Sequence, residues 1–297
     1  MSRNKTSISQ ASILTDFKEI TKMGLSISVV FSALAGYLLG ADTLDVKTLV
    51  LLAFGGYFMV GASNAYNQII ERDLDALMDR TKNRPIPAGR MSVNMAFIIA
   101  ASFTLLGLIS LYIINPKTAM WGAISIFLYT SIYTPLKTKT PLAVFVGALP
   151  GAIPFMLGWV AAQNSFGIEP GTLFAIQFFW QFPHFWAIGW FLYEDYEKGG
   201  FFMLPTGKRD KGTAVQIVIY SVWTVIASII PVFGFTGKLE LSILGASVVF
   251  LLGVMMVVYA FRLFQQRTAK AAKELMLSSV FYITMLQIIY VADKFLR

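Results

Sequence analysis

Nine long apolar runs constrain more than any other feature what this sequence can fold into. An α-helix rises about 1.5 Å per residue, so about 20 apolar residues cross the roughly 30 Å of hydrocarbon in a bilayer. The chain of 297 residues is 56% hydrophobic and 13% charged, which excludes a soluble globular protein of this size. We therefore predict an all-α polytopic membrane protein with about nine transmembrane helices. The runs lie near residues 22–40, 48–70, 93–114, 118–134, 141–162, 170–192, 213–233, 239–261 and 274–296.

Two of these runs depart from a simple transmembrane helix. The run at 118–134 is short, and the run at 141–162 contains Gly147, Pro150, Gly151 and Pro154, which predict a break in the helix. Backbone groups freed at membrane depth must face protein or a wet cavity. We expect the broken run to do so.

The distribution of Lys and Arg predicts the orientation in the membrane. With the N-terminus inside, 19 of the 24 basic residues lie in inside segments, and basic residues mark the cytoplasmic side. The N-terminus and the loops at 71–92 and 194–212 are then cytoplasmic, and the C-terminus is external. Residues 1–21 are a polar cytoplasmic segment without a cleavable signal peptide, and residues 1–297 form one transmembrane domain.

The cysteine content and the net charge narrow the kinds of site and partner that the chain can have. The chain has no cysteine, which excludes disulfides, thiolate metal sites and covalent c-type haem attachment. The net charge of +8 reports topology and affinity for anionic headgroups in a membrane protein, and it does not indicate nucleic-acid binding.

The first cytoplasmic loop carries the strongest chemical signal. Asn67, Glu71, Asp75 and Asp79 are spaced four apart, so on a continuous helix they drift about 40° per step and share one face, while Asp73 points elsewhere. Basic residues follow at Arg80, Lys82 and Arg84. Carboxylates that fill part of a Mg²⁺ shell, beside cations, suit a phosphorylated ligand. The alternative is an interfacial cap, where the charges only mark the end of the helix.

Two further cytoplasmic segments repeat this chemistry. The segment from Glu194 to Pro205 combines acids with Gly199 and Gly200, and Lys208 and Arg209 follow; glycines let backbone approach a ligand closely. The turn at 133–141 adds Lys137 and Lys139, either as phosphate contacts or as anchors on the cytoplasmic side. The two acidic loops predict two halves that share one site.

The run at 170–192 is unusually polar for a membrane helix. Gln177, Gln181 and His184 fall at i, i+4 and i+7 on one face, and polar side chains at this depth line cavities or pair with other helices. His184 is the only histidine. It is either an interhelical hydrogen-bond partner or a ligand, and the surrounding aromatic residues are either lipid-facing or the wall of a pocket for a flat macrocycle.

The motifs together carry a resemblance to a known family. The first loop resembles the Asn-Asp-x-x-Asp-x-x-x-Asp signature of the UbiA superfamily of intramembrane prenyltransferases. The segment Glu71 to Gly89, Tyr133 with Lys137, the pattern at 151–159, and Pro183-His184-Phe185 with the loop after Asp195 are similar to the haem O synthases within it. The resemblance covers the chain from about residue 20 to its end.

The resemblance implies both a fold and an activity. The expected fold is a nine-helix bundle around a central cavity open to the membrane. The expected reaction transfers the farnesyl group of farnesyl diphosphate to a vinyl group of haem b, with addition of water, in the bacterial plasma (inner) membrane. Haem A synthase is an implied partner.

The residue roles are carried over by position. Asn67, Glu71, Asp75 and Asp195 are expected to hold Mg²⁺ and the diphosphate. The expected substrate-binding residues are Arg80, Arg84, Tyr133, Lys137, Lys208, Arg209 and His184, the last as a haem ligand. Four positions depart from the family pattern. Gln68 and Glu71 stand where Asp is usual, and Phe202 neutrally replaces a common Pro. Gly199 removes a second Asp-x-x-x-Asp, which leaves the ligands of any second metal open.

Two alternatives share parts of this pattern. A prenyltransferase acting on a quinone precursor has the same metal chemistry, but the second loop and His184 argue against it. A transporter or haem-handling protein also carries intramembrane polar residues and broken helices, but it has no need of the acids beside a basic loop.

The orientation is tested with reporter fusions. Fusions at residues 85, 138, 205 and 268 are expected to report the cytoplasm, and fusions at 166 and 297 the outside, because of the distribution of basic residues. One robust inversion would place the two acidic loops on opposite sides and contradict a shared site.

Overall fold

The computed structural model describes residues 13–297, and within them the chain is helical with no strand. The predicted all-α class is confirmed for these residues; the predicted polar segment lies partly outside them, before residue 13. The α-helices are α1 Ile13–Ile20, α2 Met23–Gly40, α3 Val46–Ile70, α4 Arg72–Asp75, α5 Val93–Ile114, α6 Pro116–Phe127, α7 Thr134–Leu136, α8 Leu142–Gln163, α9 Ile168–Phe191, α10 Tyr193–Lys198, α11 Lys211–Ile229, α12 Ile243–Gln266 and α13 Ala269–Leu296.

Seven helices of the described chain are long and apolar enough to cross a membrane. They are α2, α3, α5, α8, α11 with the 3₁₀ turn Ile230–Phe233, α12 and α13. The other two predicted runs are also helical: α9 carries glutamines and a histidine among its aromatic residues, and α6 ends at Phe127 and continues as a π-helical turn, Leu128–Tyr133. The chain is therefore an integral membrane protein, and the number nine stays a prediction.

Four helices form a closed ring in the middle of the bundle. Helix α2 packs on α8, α8 on α9, α9 on α13, and α13 returns to α2. Gly36 and Gly158 permit the closest of these crossings: a Cβ on Gly158 would lie 1.9 Å from the carbonyl oxygen of Ala33. Helices α3, α5 and α6 flank the ring on one side, and α11 and α12 on the other.

The predicted break in the fifth run is wrong, because α8 runs unbroken from Leu142 to Gln163 with both prolines inside it. Pro154 has no N–H, so the carbonyl of Pro150 loses its partner within the helix. Ser125 of α6 supplies the replacement, with its Oγ 3.3 Å from that carbonyl oxygen. The expectation that the freed backbone faces protein is met at this position.

A buried polar network joins three members of the ring. Gln287 of α13 contacts Ser32 of α2, with 3.0 Å from Nε2 to Oγ, and Gln177 of α9, with 3.4 Å from Nε2 to Oε1. In a membrane, apolar side chains gain little by contacting another helix instead of lipid. Interhelical hydrogen bonds of this kind therefore help to hold the helices in place.

Candidate active site

Helix α3 ends where the acidic stretch begins. The chain leaves the helix at Glu71, with φ −92° and ψ 6°, and one further turn, α4, carries it to Asp75. Asn67, Glu71 and Asp75 are all buried, with at most 4% of each residue exposed. Burying two carboxylates side by side requires compensating charge.

The predicted four-residue ladder does not extend to Asp79. The helix does not continue through this region, because turns follow α4. Asp79 is exposed, 2.6 Å from Lys82 Nζ and paired also with Lys198. These two ammonium groups lower the pKa of Asp79 to about 2. The shared face is therefore wrong for this acid.

Two buried ion pairs neutralise the remaining acids. Lys137 Nζ lies 2.7 Å from Glu71 Oε1, and Arg84 Nη1 lies 2.6 Å from Asp75 Oδ2. The second oxygen of Asp75, Oδ1, is buried and has no hydrogen-bond partner among residues 13–297. Burial raises the pKa of Asp75 in spite of the Arg84 guanidinium. Asp75 thus keeps one oxygen free in a site already rich in cations.

The turn before α8 brings Lys137 to Glu71. A π-helical turn carries Tyr133 to the ammonium, which lies 4.8 Å from the ring centroid, and Phe201 lies on another side at 5.5 Å. Burial opposes the charge of Lys137, but the Glu71 carboxylate acts against it, and the pKa of Lys137 is raised. Single π-helical turns of this kind are frequent at functional sites.

The second loop docks onto the first through Asp195. Its two carboxylate oxygens accept the backbone N–H groups of Asp79 at 2.7 Å and Arg80 at 3.3 Å. The N–H of Phe202 donates to the carbonyl oxygen of Lys137 at 2.7 Å. Arg80 also lies over the ring of Tyr196, 5.7 Å from its centroid. The structure thus brings all three cytoplasmic segments of the prediction together.

The predicted basic residues of the second loop have a different environment. Arg209 donates to the carbonyl oxygen of Trp190 at 2.6 Å, and its guanidinium binds both oxygens of Glu194. These bonds fix the end of α9 to the loop. The ammonium of Lys208 has no partner among the described residues, and its substrate-binding role stays a prediction.

The single histidine lies between two helices of the ring. His184 Nδ1 is 2.9 Å from Ser279 Oγ of α13, and the imidazole stacks on Trp180 at 4.6 Å. Gln181 donates to the carbonyl oxygen of Ala148 at 2.8 Å. Both glutamines of the polar face therefore pair with other helices, as one of the two interpretations of that face predicts.

Sequence reasoning missed Lys22. It is partly buried at the junction of α1 and α2 in the left-handed conformation, with φ 44° and ψ 56°, which a residue with a side chain rarely adopts. Its ammonium has no partner among residues 13–297, yet it lies within electrostatic reach of Arg84, Lys137 and Glu71. Burial and the two cations lower the pKa of Lys22 to about 7. Lys22 lies 45 positions before Asn67 and shares no motif with it. The only sequence signal for Lys22 is its position at the start of a helix.

The residues present fit a metal ion held jointly with an anionic ligand. Among residues 13–297, no three His, Asp or Glu side chains form a complete metal-binding group. A partial set remains: the free Asp75 oxygen, Glu71, and Asn67, whose amide donates to Thr134 Oγ1 at 3.3 Å and keeps its carbonyl oxygen as an acceptor. Mg²⁺ is commonly bound by one or two carboxylates together with phosphate oxygens and water.

The sequence and the fold both match known proteins. The UbiA prenyltransferase family matches residues 29–286. The protoheme IX farnesyltransferase of Christiangramia forsetii is 73% identical over 297 residues, covering 100% of this chain and 99% of the relative. A digeranylgeranylglyceryl phosphate synthase has a TM-score of 0.78 at 18% identity, covering 94% of this chain and 98% of that one. A UbiA homolog from Archaeoglobus fulgidus bound to GPP and Mg²⁺ has a TM-score of 0.66 at 16% identity, covering 93% and 99%.

A ring of membrane helices with buried acids and cations where two loops meet fits an intramembrane enzyme acting on a phosphorylated group. The chain belongs to the UbiA prenyltransferase family.

Replacement of Lys22 by glycine separates charge from conformation. A residue with a side chain is destabilised by about 1 kcal/mol in the left-handed conformation, whereas glycine is not. Lys22→Gly is therefore expected to retain or raise thermal stability. Inorganic diphosphate with Mg²⁺ is expected to bind Lys22→Gly about tenfold more weakly, a loss of about 1.4 kcal/mol, and Lys22→Arg nearly as well as wild type. Calorimetric titration of the purified protein measures this, and equal affinity of the glycine variant would remove Lys22 from the site.

The same residue predicts a pH dependence. An anion favours the charged ammonium, so binding raises the pKa of Lys22 above its free value of about 7. Affinity gained from Lys22 is complete below pH 7 and is lost as the pH rises through the pKa of the complex. The difference in affinity between wild type and Lys22→Gly is therefore expected to shrink above pH 7. Because the diphosphate titrates equally in both titrations, its own protonation cancels in this difference.

Proposed function

We propose that this protein transfers the farnesyl group of farnesyl diphosphate to a vinyl group of haem b, with addition of water, giving haem O and diphosphate. The observation that carries the proposal is the 73% identity, over the whole of both chains, to a protein named protoheme IX farnesyltransferase. The charged site between the loops supplies the chemistry that a diphosphate leaving group needs. The chain acts as a single transmembrane domain.

The metal of the proposed site is Mg²⁺, on Asn67, Glu71, Asp75 and Asp195. When bound, it supplies positive charge to the diphosphate as the allylic C–O bond breaks. Three observations support these residues: the free oxygen of Asp75, the burial of Glu71, and the position of Asp195 where the loops meet. The Archaeoglobus homolog with the same fold was solved with GPP and Mg²⁺.

The cations of the site have a second role in this proposal. Lys137 and Arg84 neutralise Glu71 and Asp75 in the free protein. Once the acids bind metal, the same cations are available to the diphosphate oxygens, beside Lys22 and Arg80. Preorganised charges stabilise a developing anion without reorganisation cost, which is the largest contribution to many enzymatic rates.

No protein nucleophile is needed for the reaction. The farnesyl C–O bond breaks with its electron pair on the diphosphate, and the terminal vinyl carbon of haem forms a C–C bond with the farnesyl carbon. Water then adds to the resulting cation beside the porphyrin and loses a proton. The aromatic side chains that contact His184 provide a wall for a flat macrocycle.

The remaining expectations concern the surroundings of the enzyme. We propose the plasma (inner) membrane of a bacterium, with the two acidic loops in the cytoplasm, on the strength of the basic residues in the inside segments. Haem A synthase, which would receive haem O, is a proposed partner.

The metal role is tested by removing one carboxylate charge at a time. Glu71→Gln and Asp75→Asn are expected to lower haem O formation about 100-fold or more, because each keeps the side-chain volume and removes a proposed metal ligand. Glu71→Asp is expected to retain activity. The assay incubates membranes with labelled farnesyl diphosphate and haem b, then separates the extracted pigments.

Asp73→Asn is the matched control, because Asp73 lies in the same loop with 85% of its side chain exposed. Normal haem O formation by both Glu71→Gln and Asp75→Asn would show that these acids are structural. Label recovered in a quinone precursor instead of a haem would favour the alternative prenyltransferase, and no transfer at all would favour a transport or haem-handling role.

A further inference from the structure

The imidazole of His184 is held on three sides between α9 and α13. The ring stacks on the Trp180 indole at 4.6 Å with 18° between the planes, and it meets the edge of Phe185 at 5.4 Å and 73°. Its Nδ1 lies 2.9 Å from Ser279 Oγ. Trp180 is itself fixed, since its Nε1 donates to the carbonyl oxygen of Ser279 at 2.7 Å. The orientation of the imidazole ring is therefore determined.

The hydrogen bonds of Ser279 favour one tautomer of His184. Ser279 Oγ lies 2.7 Å from the carbonyl oxygen of Met276, and a carbonyl can only accept, so the hydroxyl proton points there. With the hydroxyl proton directed at Met276, the hydroxyl oxygen accepts from His184, and Nδ1 carries the proton. A neutral imidazole has one N–H, so Nε2 carries the lone pair. The hydrogen bond to Ser279 is made by Nδ1 and does not involve Nε2.

We propose that Ser279 is a positioning residue that holds His184 in the Nδ1–H tautomer, so that Nε2 presents its lone pair to the iron of the haem substrate. This inference rests on the proposed function, which makes haem a substrate. Histidines that ligate metals regularly donate the other ring N–H to a fixed acceptor, which orients the ring and raises its basicity. Here the acceptor belongs to a different helix of the ring.

A purely structural role for His184 accounts for less of this geometry. Gln181, on the same face, satisfies its Nε2 on the carbonyl oxygen of Ala148 and so serves as an interhelical link. His184 uses Nδ1 for its link to Ser279 of α13, and that link does not involve Nε2. A residue that only joins α9 and α13 does not need an imidazole ring that is stacked on Trp180 and in edge contact with Phe185.

The test uses the full chain in lipid nanodiscs loaded with ferrous haem b. Resonance Raman spectroscopy measures the iron–histidine stretching band, and titration measures haem affinity. The variants are His184→Leu, which removes the ligand at similar bulk, Ser279→Ala, which removes only the hydroxyl, and Ser278→Ala as control. Ser278 is the neighbouring buried serine, and its Oγ has no hydrogen-bond partner in the described chain.

Wild type is expected to show the band, and His184→Leu to lose it. Ser279→Ala is expected to shift the band to lower frequency and weaken haem binding about tenfold, because the imidazole loses basicity and orientation. Ser278→Ala is expected to match wild type. In the His184→Leu background, Ser279→Ala should have no further effect on haem affinity.

Two results would overturn the inference. A band that is unchanged in Ser279→Ala would remove the positioning role while leaving His184 as a ligand. Absence of the band in wild type, with haem still farnesylated, would remove the ligand role and leave the proposed function intact. Conversely, a shifted band in a protein that does not farnesylate haem would support the inference and contradict the proposed function.

Discussion

The site depends on the burial of two carboxylates at the end of a membrane helix. Glu71 and Asp75 cannot both stay ionised there without neighbouring cations. Lys137, from a segment distant in sequence, pairs with Glu71, and Arg84, from the loop beyond the end of the helix, pairs with Asp75. Each pair therefore fixes a loop to α3. Breaking one partner leaves an uncompensated buried charge, which is strongly destabilising, whereas a metal ion with an anionic ligand can replace both cations at once.

The second constraint is that one site is built from two halves of the chain. Asp195 accepts backbone N–H groups from the first loop, and the backbone of Phe202 binds the turn that carries Lys137. Loops alone at a membrane surface are mobile, but here each loop begins at a helix of the packed bundle. Helix packing then fixes the orientation of the reactants, because His184 and Asn67 lie on helices of the same packed bundle.

Much of this arrangement follows from the sequence. Apolar runs located the helices, and the spacing of four predicted that Asn67, Glu71 and Asp75 lie together. The spacing failed at Asp79 because α4 ends at Asp75 and turns follow, and a helix end of that kind depends on tertiary contacts. The unbroken α8 was unpredictable for a similar reason, since Ser125 on another helix replaces the lost bond. Lys22 and Ser279 carry no motif, and only the folded chain reveals their neighbours.

The central claim is that the buried acids bind metal and diphosphate together, in exchange for Lys137 and Arg84. Calorimetric titration of the full chain with farnesyl thiodiphosphate, an unreactive analogue, tests it most directly when repeated with and without Mg²⁺. The account predicts that Mg²⁺ strengthens binding of the analogue at least about tenfold, a coupling of about 1.4 kcal/mol, and that the analogue strengthens Mg²⁺ binding by the same factor. Equal affinity for the analogue with and without Mg²⁺ would contradict it.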